Sequence, residues 1–167
     1  VRALICGGRN FGRLPQKINE HGCWVVDRDS PHWDLRWAEY MFGKYVLHEL
    51  LCDTPTGTEA NDTWMPPRDL FIIHGGATGA DKIADEWSVV NWVPQQEYRA
   101  DWEKWGKRAG PIRNQVMLNV GKPDLVIAFP GGDGTANMVR IARNRGVCTI
   151  EVPYPDDIRL SRCYARK

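Results

Sequence analysis

Pro130-Gly-Gly-Asp-Gly-Thr135 sets three glycines in five positions immediately ahead of a helix-like run. Such a segment makes a nest of backbone N–H groups, and the Thr135 hydroxyl adds a further donor. A helix amino-terminus brings unpaired N–H groups and a partial positive charge, so the chemistry suggested is phosphate binding. A tight turn without a ligand would need one glycine; Gly131, Gly132 and Gly134 are three. Gly75-Gly76-Ala-Thr-Gly79-Ala-Asp81 is built alike, with Gly79 permitting close approach and Asp81 in the first helical turn. The Asp81 carboxylate suits capping and dipole compensation, acceptance of ribose hydroxyls, or general-base work. Gly7 and Gly8 precede Arg9, and Arg113-Asn114 opens a later helix. A guanidinium meets phosphate bidentately and stays charged at any working pH. Trp102 and Trp105 lie in a polar stretch, 101–110, where either ring could stack on a base. With eight tryptophans in the chain, most are expected to serve packing.

His21, Cys23, His32, His48 and Cys52 are residue types that zinc accepts, and His48 and Cys52 are spaced to share a helix face. Met41, Tyr45, His48 and Cys52 also form a helical stripe, read more simply as a core face. No metal and no cofactor is expected. No Gly-x-Ser-x-Gly elbow and no lysine of the Walker A kind accompanies the glycine loops, which disfavours an esterase or a conventional nucleoside triphosphatase.

Strands and helices must position these loops. The glycine pairs each close a short apolar run, at 2–6, 70–74 and 124–129, of the kind buried on both faces of a sheet. Helices are expected at about 36–52, 79–91, 111–120 and 135–145, with further strands at about 95–99 and 147–152. Pro111 suits a first helical turn, and Gly121 and Gly146 are plausible stops. This alternation predicts an α/β, Rossmann-like, doubly wound and mostly parallel sheet with helices on both faces. Loops at the strands' carboxyl ends then converge on one crevice. An insertion at about 12–35 follows the first strand; its Cys-Trp-Val-Val run reads as ordered, as a small hairpin that could act as a lid or an oligomer contact. A polar loop spans 53–68 and an irregular tail 153–167, within a single domain covering 1–167.

At 167 residues, 43% hydrophobic and 26% charged, the chain can bury a real core and is not disordered. Net charge is +1, from 22 basic and 21 acidic side chains, so nucleic acid is not an expected partner without a local basic patch. No apolar stretch nears the roughly 18–20 residues that span a bilayer, and no secretory pattern is visible, so no membrane association is expected. A first residue of Val1 implies that an initiator or tag has been lost. Cys6, Cys23, Cys52, Cys148 and Cys163 are an odd, scattered set, with Cys6 and Cys148 expected in buried strands. That is cytoplasmic usage rather than a disulfide framework.

Cys6-Gly-Gly-Arg-Asn-Phe11, His74-Gly-Gly-Ala-Thr-Gly-Ala-Asp81, Asp101-Trp102, Gly110-Pro-Ile-Arg-Asn-Gln115 and Phe129-Pro-Gly-Gly-Asp-Gly-Thr135 occur in this order. Together they resemble the SLOG superfamily, which includes the LOG phosphoribohydrolases and the DNA-recombination mediator DprA. The similarity is greatest to its YspA, or cpYpsA-related, branch, and covers 1–11 and about 69–152. It implies a Rossmann-like sheet with a nucleotide-related pocket at the glycine loops, in a superfamily that often forms homo-oligomers. In LOG enzymes a Pro-Gly-Gly-x-Gly-Thr-x-x-Glu motif binds phosphate and supplies a catalytic glutamate, aided by an upstream arginine. Arg113 matches that arginine, but the glutamate position is Met138. A thioether cannot carry a proton or stabilise a developing cation as a carboxylate does. The expectation is therefore a protein that binds a phosphorylated nucleotide-derived molecule as a sensor or sequestering protein. The site would comprise Gly7, Gly8, Arg9, Gly75, Gly76, Gly79, Asp81, Arg113, Asn114, Pro130, Gly131, Gly132, Gly134 and Thr135. A hydrolase of an N-glycosidic or phosphate bond, with Asp81 and Arg113 catalytic, is the alternative. Single-stranded DNA binding through Lys104, Lys107, Arg108, Arg140, Arg143 and Arg145 is the third.

Overall fold

A computed structural model describes residues 1–52 and 65–154. The loop expected at 53–68 and the tail from 153 therefore lie almost wholly outside the described residues, as does Cys163.

Five strands form one sheet: β1 (Arg2–Cys6), β4 (Phe71–His74), β5 (Gln95–Glu97), β6 (Leu125–Ala128) and β7 (Cys148–Glu151). Their order is β5-β4-β1-β6-β7 and every pairing is parallel, with Leu4 opposite Ile73 on one side and Val126 on the other. The sheet is thus wholly rather than mostly parallel. β2 (Gln16–Ile18) and β3 (Trp24–Val26) make a separate antiparallel hairpin within the insertion.

Period-two alternation along the strands supplies two cores. Ala3, Ile5, Ile72 and Ile127 face α1 (Trp33–Leu51) and α2 (Ala80–Val90). Leu4, Cys6, Ile73 and Val126 face α4 (Ala109–Gly121) and α5 (Asp133–Arg143). Two helices therefore cover each face, the doubly wound arrangement. The chain passes from β1 outward to β4 and β5, then returns across β1 to β6. The switch in direction falls between β1 and β6, where an open α/β sheet leaves its crevice.

Several elements differ from the sequence reading. α1 begins at Trp33, within what was expected to be the insertion. Its buried face is Glu39, Gly43, Leu47 and Leu51, whereas Met41 and Tyr45 of the expected core stripe are exposed. Gly43 is needed where the helices meet: a β-carbon there would lie 3.0 Å from Ile83 and 3.3 Å from Phe11. Cys148 is exposed, because β7 is an edge strand with one neighbour. Trp24, Trp37, Trp92, Trp102 and Trp105 are exposed and Trp87 is buried, so packing does not account for most of the tryptophans. The polar stretch 101–110 contains α3 (Trp102–Trp105), capped by Asp101, whose carboxylate accepts the Lys104 amide at 2.9 Å. α4 starts at Ala109, so Pro111 sits in its first turn, and the left-handed residue after it is Lys122 rather than a glycine. Gly121 instead makes room for Ile73, 3.0 Å from where its β-carbon would be.

Candidate ligand-binding site

The loops after β1, β4 and β6 are tied to one another by their backbones. The Gly8 amide donates to the Pro130 carbonyl at 2.9 Å, joining the ends of β1 and β6. The Gly8 carbonyl accepts from Phe11 N at 3.1 Å and from Ala80 N, at the start of α2, at 3.4 Å. Thr78 Oγ1 donates to the Arg9 carbonyl at 2.8 Å. This closeness requires glycine. Gly79 has φ +81°, and a β-carbon on it would overlap the Gly8 carbonyl oxygen. A β-carbon on Gly131 would overlap Thr135 Oγ1 and lie 2.7 Å from Gly8 N.

α5 then starts at Asp133 with Gly132 as its cap residue and no side-chain cap. Beside Gly132 and Gly134 there is open space, with nothing within 4 Å of a β-carbon at either position. The first amides of a helix have no intrahelical acceptor. Here the Thr135 and Ala136 amides both donate to the Gly132 carbonyl at 3.0 Å, and Gly132, Asp133 and Gly134 line the crevice that the sheet leaves open.

That crevice is divided by the amino-terminus of α5. One part, about 410 Å³, is lined by Cys6, Gly7, Asp81, Trp102, Lys107 and Arg113. The other, about 610 Å³, is lined by Phe11, Phe129, Pro130, Val139, Glu151 and Tyr154. Gly8, Arg9, Gly132 and Thr135 border both. Each volume is in the range of small-molecule sites.

Arg113 and Asp81 are the charged centre of the smaller part. Arg113 Nη1 donates to the Gly75 carbonyl at 2.6 Å and lies 3.8 Å from Asp81 Oδ2. The same carboxylate accepts the Ala77 amide at 3.0 Å. Burial pushes the Asp81 carboxyl above the usual carboxylate range, against the opposing pull of Arg113, of the Ala77 and Gly75 amides and of His74. Arg113 Nε is buried and has no hydrogen-bond partner among the described residues. Buried polar groups are normally satisfied, so an orphaned donor beside a crevice invites an acceptor. The thiol of Cys6, at the crevice floor, is driven strongly upward by its burial and by Asp81, and stays protonated. Asn114 lines the crevice while its amide donates to the Gly134 carbonyl at 3.0 Å, fastening α4 to the glycine loop. Arg9 holds its guanidinium over the Trp102 ring at 4.8 Å, so one face of that ring is covered.

Gly75, Gly76 and Gly79 do not line either crevice. They act beneath it: Gly75 leaves room for the Arg113 guanidinium, Gly76 for Glu97, and Gly79 for the β1 loop. Met138 is fully buried in the core and lines neither crevice. His74 is occupied, accepting from Gly76 N at 3.3 Å on Nδ1 and pairing with Gln95 at 2.8 Å on Nε2. No described residue of the hairpin lines either crevice. His48 Nδ1 and Cys52 Sγ approach to 3.3 Å, and among the described residues no group of three or more metal-ligating side chains forms.

The largest feature missed from the sequence is Glu39. It is fully buried, accepting from Gly12 N at 2.9 Å, Arg36 at 2.7 Å and the Tyr154 hydroxyl at 2.9 Å. It thereby clamps the β1 loop, α1 and the segment after β7. Its only sequence signal was an acidic residue four before Gly43 on one helix face.

The family model for YspA, cpYpsA-related SLOG proteins matches residues 59–105. The Gene 61 protein of Mycobacterium phage D29 is 41% identical over 101 residues, covering 54% of this chain and 78% of the phage protein. The chain belongs to the YspA, cpYpsA-related SLOG family. No solved structure matches this SLOG protein. Its five-stranded parallel sheet and glycine-loop crevice fit that membership. No helix among its described residues is long and apolar enough to cross a membrane.

Proposed function

We propose that this SLOG protein binds a phosphorylated nucleotide-derived molecule, a nucleoside phosphate or an NAD- or ADP-ribose-like compound, as a sensor or sequestering protein. The observation that carries the reading is Arg113, with its buried and unpartnered Nε, across the crevice from the uncapped start of α5. Arginine and helix amides together are the donors that a phosphate dianion needs. Met138, buried where LOG enzymes hold a glutamate, favours retention of the ligand over its cleavage.

A hydrolase remains the second reading because Asp81, kept protonated more readily by burial, lies in the same crevice. DNA binding is not favoured: Arg143 is paired with Glu151 at 2.6 Å, and Arg145 is bonded to Gln115.

Ligand fate separates the first two. The protein is incubated with nucleoside monophosphates, NAD, ADP-ribose and cyclic nucleotides, recovered by ultrafiltration and denatured, and both fractions are quantified by mass spectrometry. Intact compound recovered with the protein supports binding; new base or ribose phosphate means an enzyme. Arg113→Ala should lose one charged hydrogen bond, about 1.5–3 kcal/mol, or roughly 10- to 150-fold in affinity. Gly132→Asp should abolish retention while leaving the fold intact, since its side chain enters open space. Wild-type affinity in both variants would overturn the reading.

A further inference from the structure

α2 ends in a turn that suits glycine and holds a tryptophan. The Val93 amide donates to the Ser88 carbonyl at 2.9 Å and the Trp92 amide to the Val89 carbonyl at 3.3 Å. This pair of bonds closes a helix through one left-handed residue, usually glycine. Here that residue is Trp92, at φ +56°, where a β-carbon is disfavoured. Packing among the described residues does not offset the strain, since Trp92 is 93% exposed. Strain held at one residue points to a function for that residue.

Trp92 is not alone on this surface. Val89 and Val90, in the last turn of α2, are 63% and 67% exposed. Beside them a groove of about 360 Å³ lies between α1 and α2, lined by Met41, Tyr45, His48, Trp87 and Val90. Tyr45 is 60% exposed and Met41 47%. Lys44 also borders the groove, but its ammonium is turned onto the Tyr40 ring at 4.8 Å.

We infer that this face is a two-fold interface between copies of the chain, with Trp92 of each copy filling the α1–α2 groove of the other. A two-fold contact needs a projecting group and its recess on one face, and Val90 adjoins both here. A partner of another kind would need only one of the two. Trp92, Val89, Val90, Tyr45 and Met41 together expose on the order of 500–600 Å² of apolar surface. With a polar rim that nears the roughly 800 Å² per partner of a stable interface. Tryptophan and tyrosine are also the side chains that most often dominate such contacts.

The test is sedimentation velocity of the full chain between about 1 and 100 µM. Wild type is expected to form a dimer within that range. Trp92→Gly removes the projection and Tyr45→Asp charges the recess. Each should weaken association at least about thirtyfold, as loss of a dominant contact does. Trp92→Gly suits the backbone, so its monomer should melt no lower than the wild-type monomer; Tyr45→Asp, on exposed surface, gives an independent check. Benzoylphenylalanine placed at position 92, in a mixture of isotope-labelled and unlabelled chains, should cross-link on irradiation to 41–48 of the second copy. Cross-links confined to one copy would mean that the chain covers its own groove, and would overturn the proposal. A monomer throughout the range, or a dimer that survives both substitutions, would overturn it equally.

Discussion

Gly75→Ala should disable Arg113 from a position that never touches ligand. The backbone at Gly75 is one that any residue adopts, so alanine is not strained by its own torsions. Its β-carbon, however, would fall on the Arg113 guanidinium and 3.0 Å from Asp81 Oδ2. The flexible group gives way, and the guanidinium leaves the Gly75 carbonyl, now 2.6 Å away, and Asp81, now 3.8 Å away. A hydrogen bond to a charged group contributes about 1.5–3 kcal/mol. In a domain of this size that corresponds to roughly 3–12 °C in melting temperature. Ligand affinity should fall by the same free energy, roughly 10- to 150-fold, if Arg113 grips phosphate. The assay is thermal melting and AMP titration of Gly75→Ala, Arg113→Ala and the double variant. Sharing one cause, the two substitutions should be non-additive, the double variant matching Arg113→Ala within about 0.5 kcal/mol. Full additivity, or wild-type melting and affinity in Gly75→Ala, would refute the placement of Arg113 over Gly75.

Asp81→Asn should alter how stability varies with pH. Because burial raises the folded carboxyl above its unfolded value, its contribution is present in full below the unfolded range and is lost as pH rises through the folded pKa. The variant lacks that slope, so its stability relative to wild type should improve from pH 4 to pH 7 in denaturant titrations; a constant difference would contradict the burial effect. Glu39→Ala leaves Gly12 N, Arg36 and Tyr154 without their shared acceptor, and should cost about 3–5 kcal/mol by denaturant unfolding. Glu39→Gln, whose amide oxygen still accepts from Gly12, should cost less. Lys122→Gly, at φ +46°, should relieve a left-handed residue and raise the melting temperature by about 2–4 °C.

β1, β4 and β6 were legible because each is a short apolar run, and the glycine pairs marked their carboxyl ends; β5, with the sequence Gln-Gln-Glu, and the edge strand β7 follow from the alternation with helices instead. The face of α1 was not. Met41, Tyr45, His48 and Cys52 repeat with helical period, as do Glu39, Gly43, Leu47 and Leu51, offset by one or two residues, or about 100–200° around the helix. Periodicity cannot choose between them when the buried face includes a carboxylate and a glycine. α3 escaped because four residues are too few for periodicity to show. Within the site, loop chemistry pointed to Gly132, Gly134 and Arg113, and the structure sets all three at one crevice or its border. It could not tell glycines that touch a ligand's space from those that make room for a neighbour. Gly75, Gly76 and Gly79 are of the second kind, and only the packing of Arg113, Glu97 and Gly8 around them reveals it.

The Gly8 peptide has a kinetic consequence. Its N–H holds Pro130 and its carbonyl holds Phe11 and Ala80, so three loops form one braced unit before anything arrives. No loop among them must order itself around an incoming molecule. Association should therefore proceed in a single step at an ordinary docking rate, alike for related compounds. Discrimination between those compounds would then appear in how long each stays.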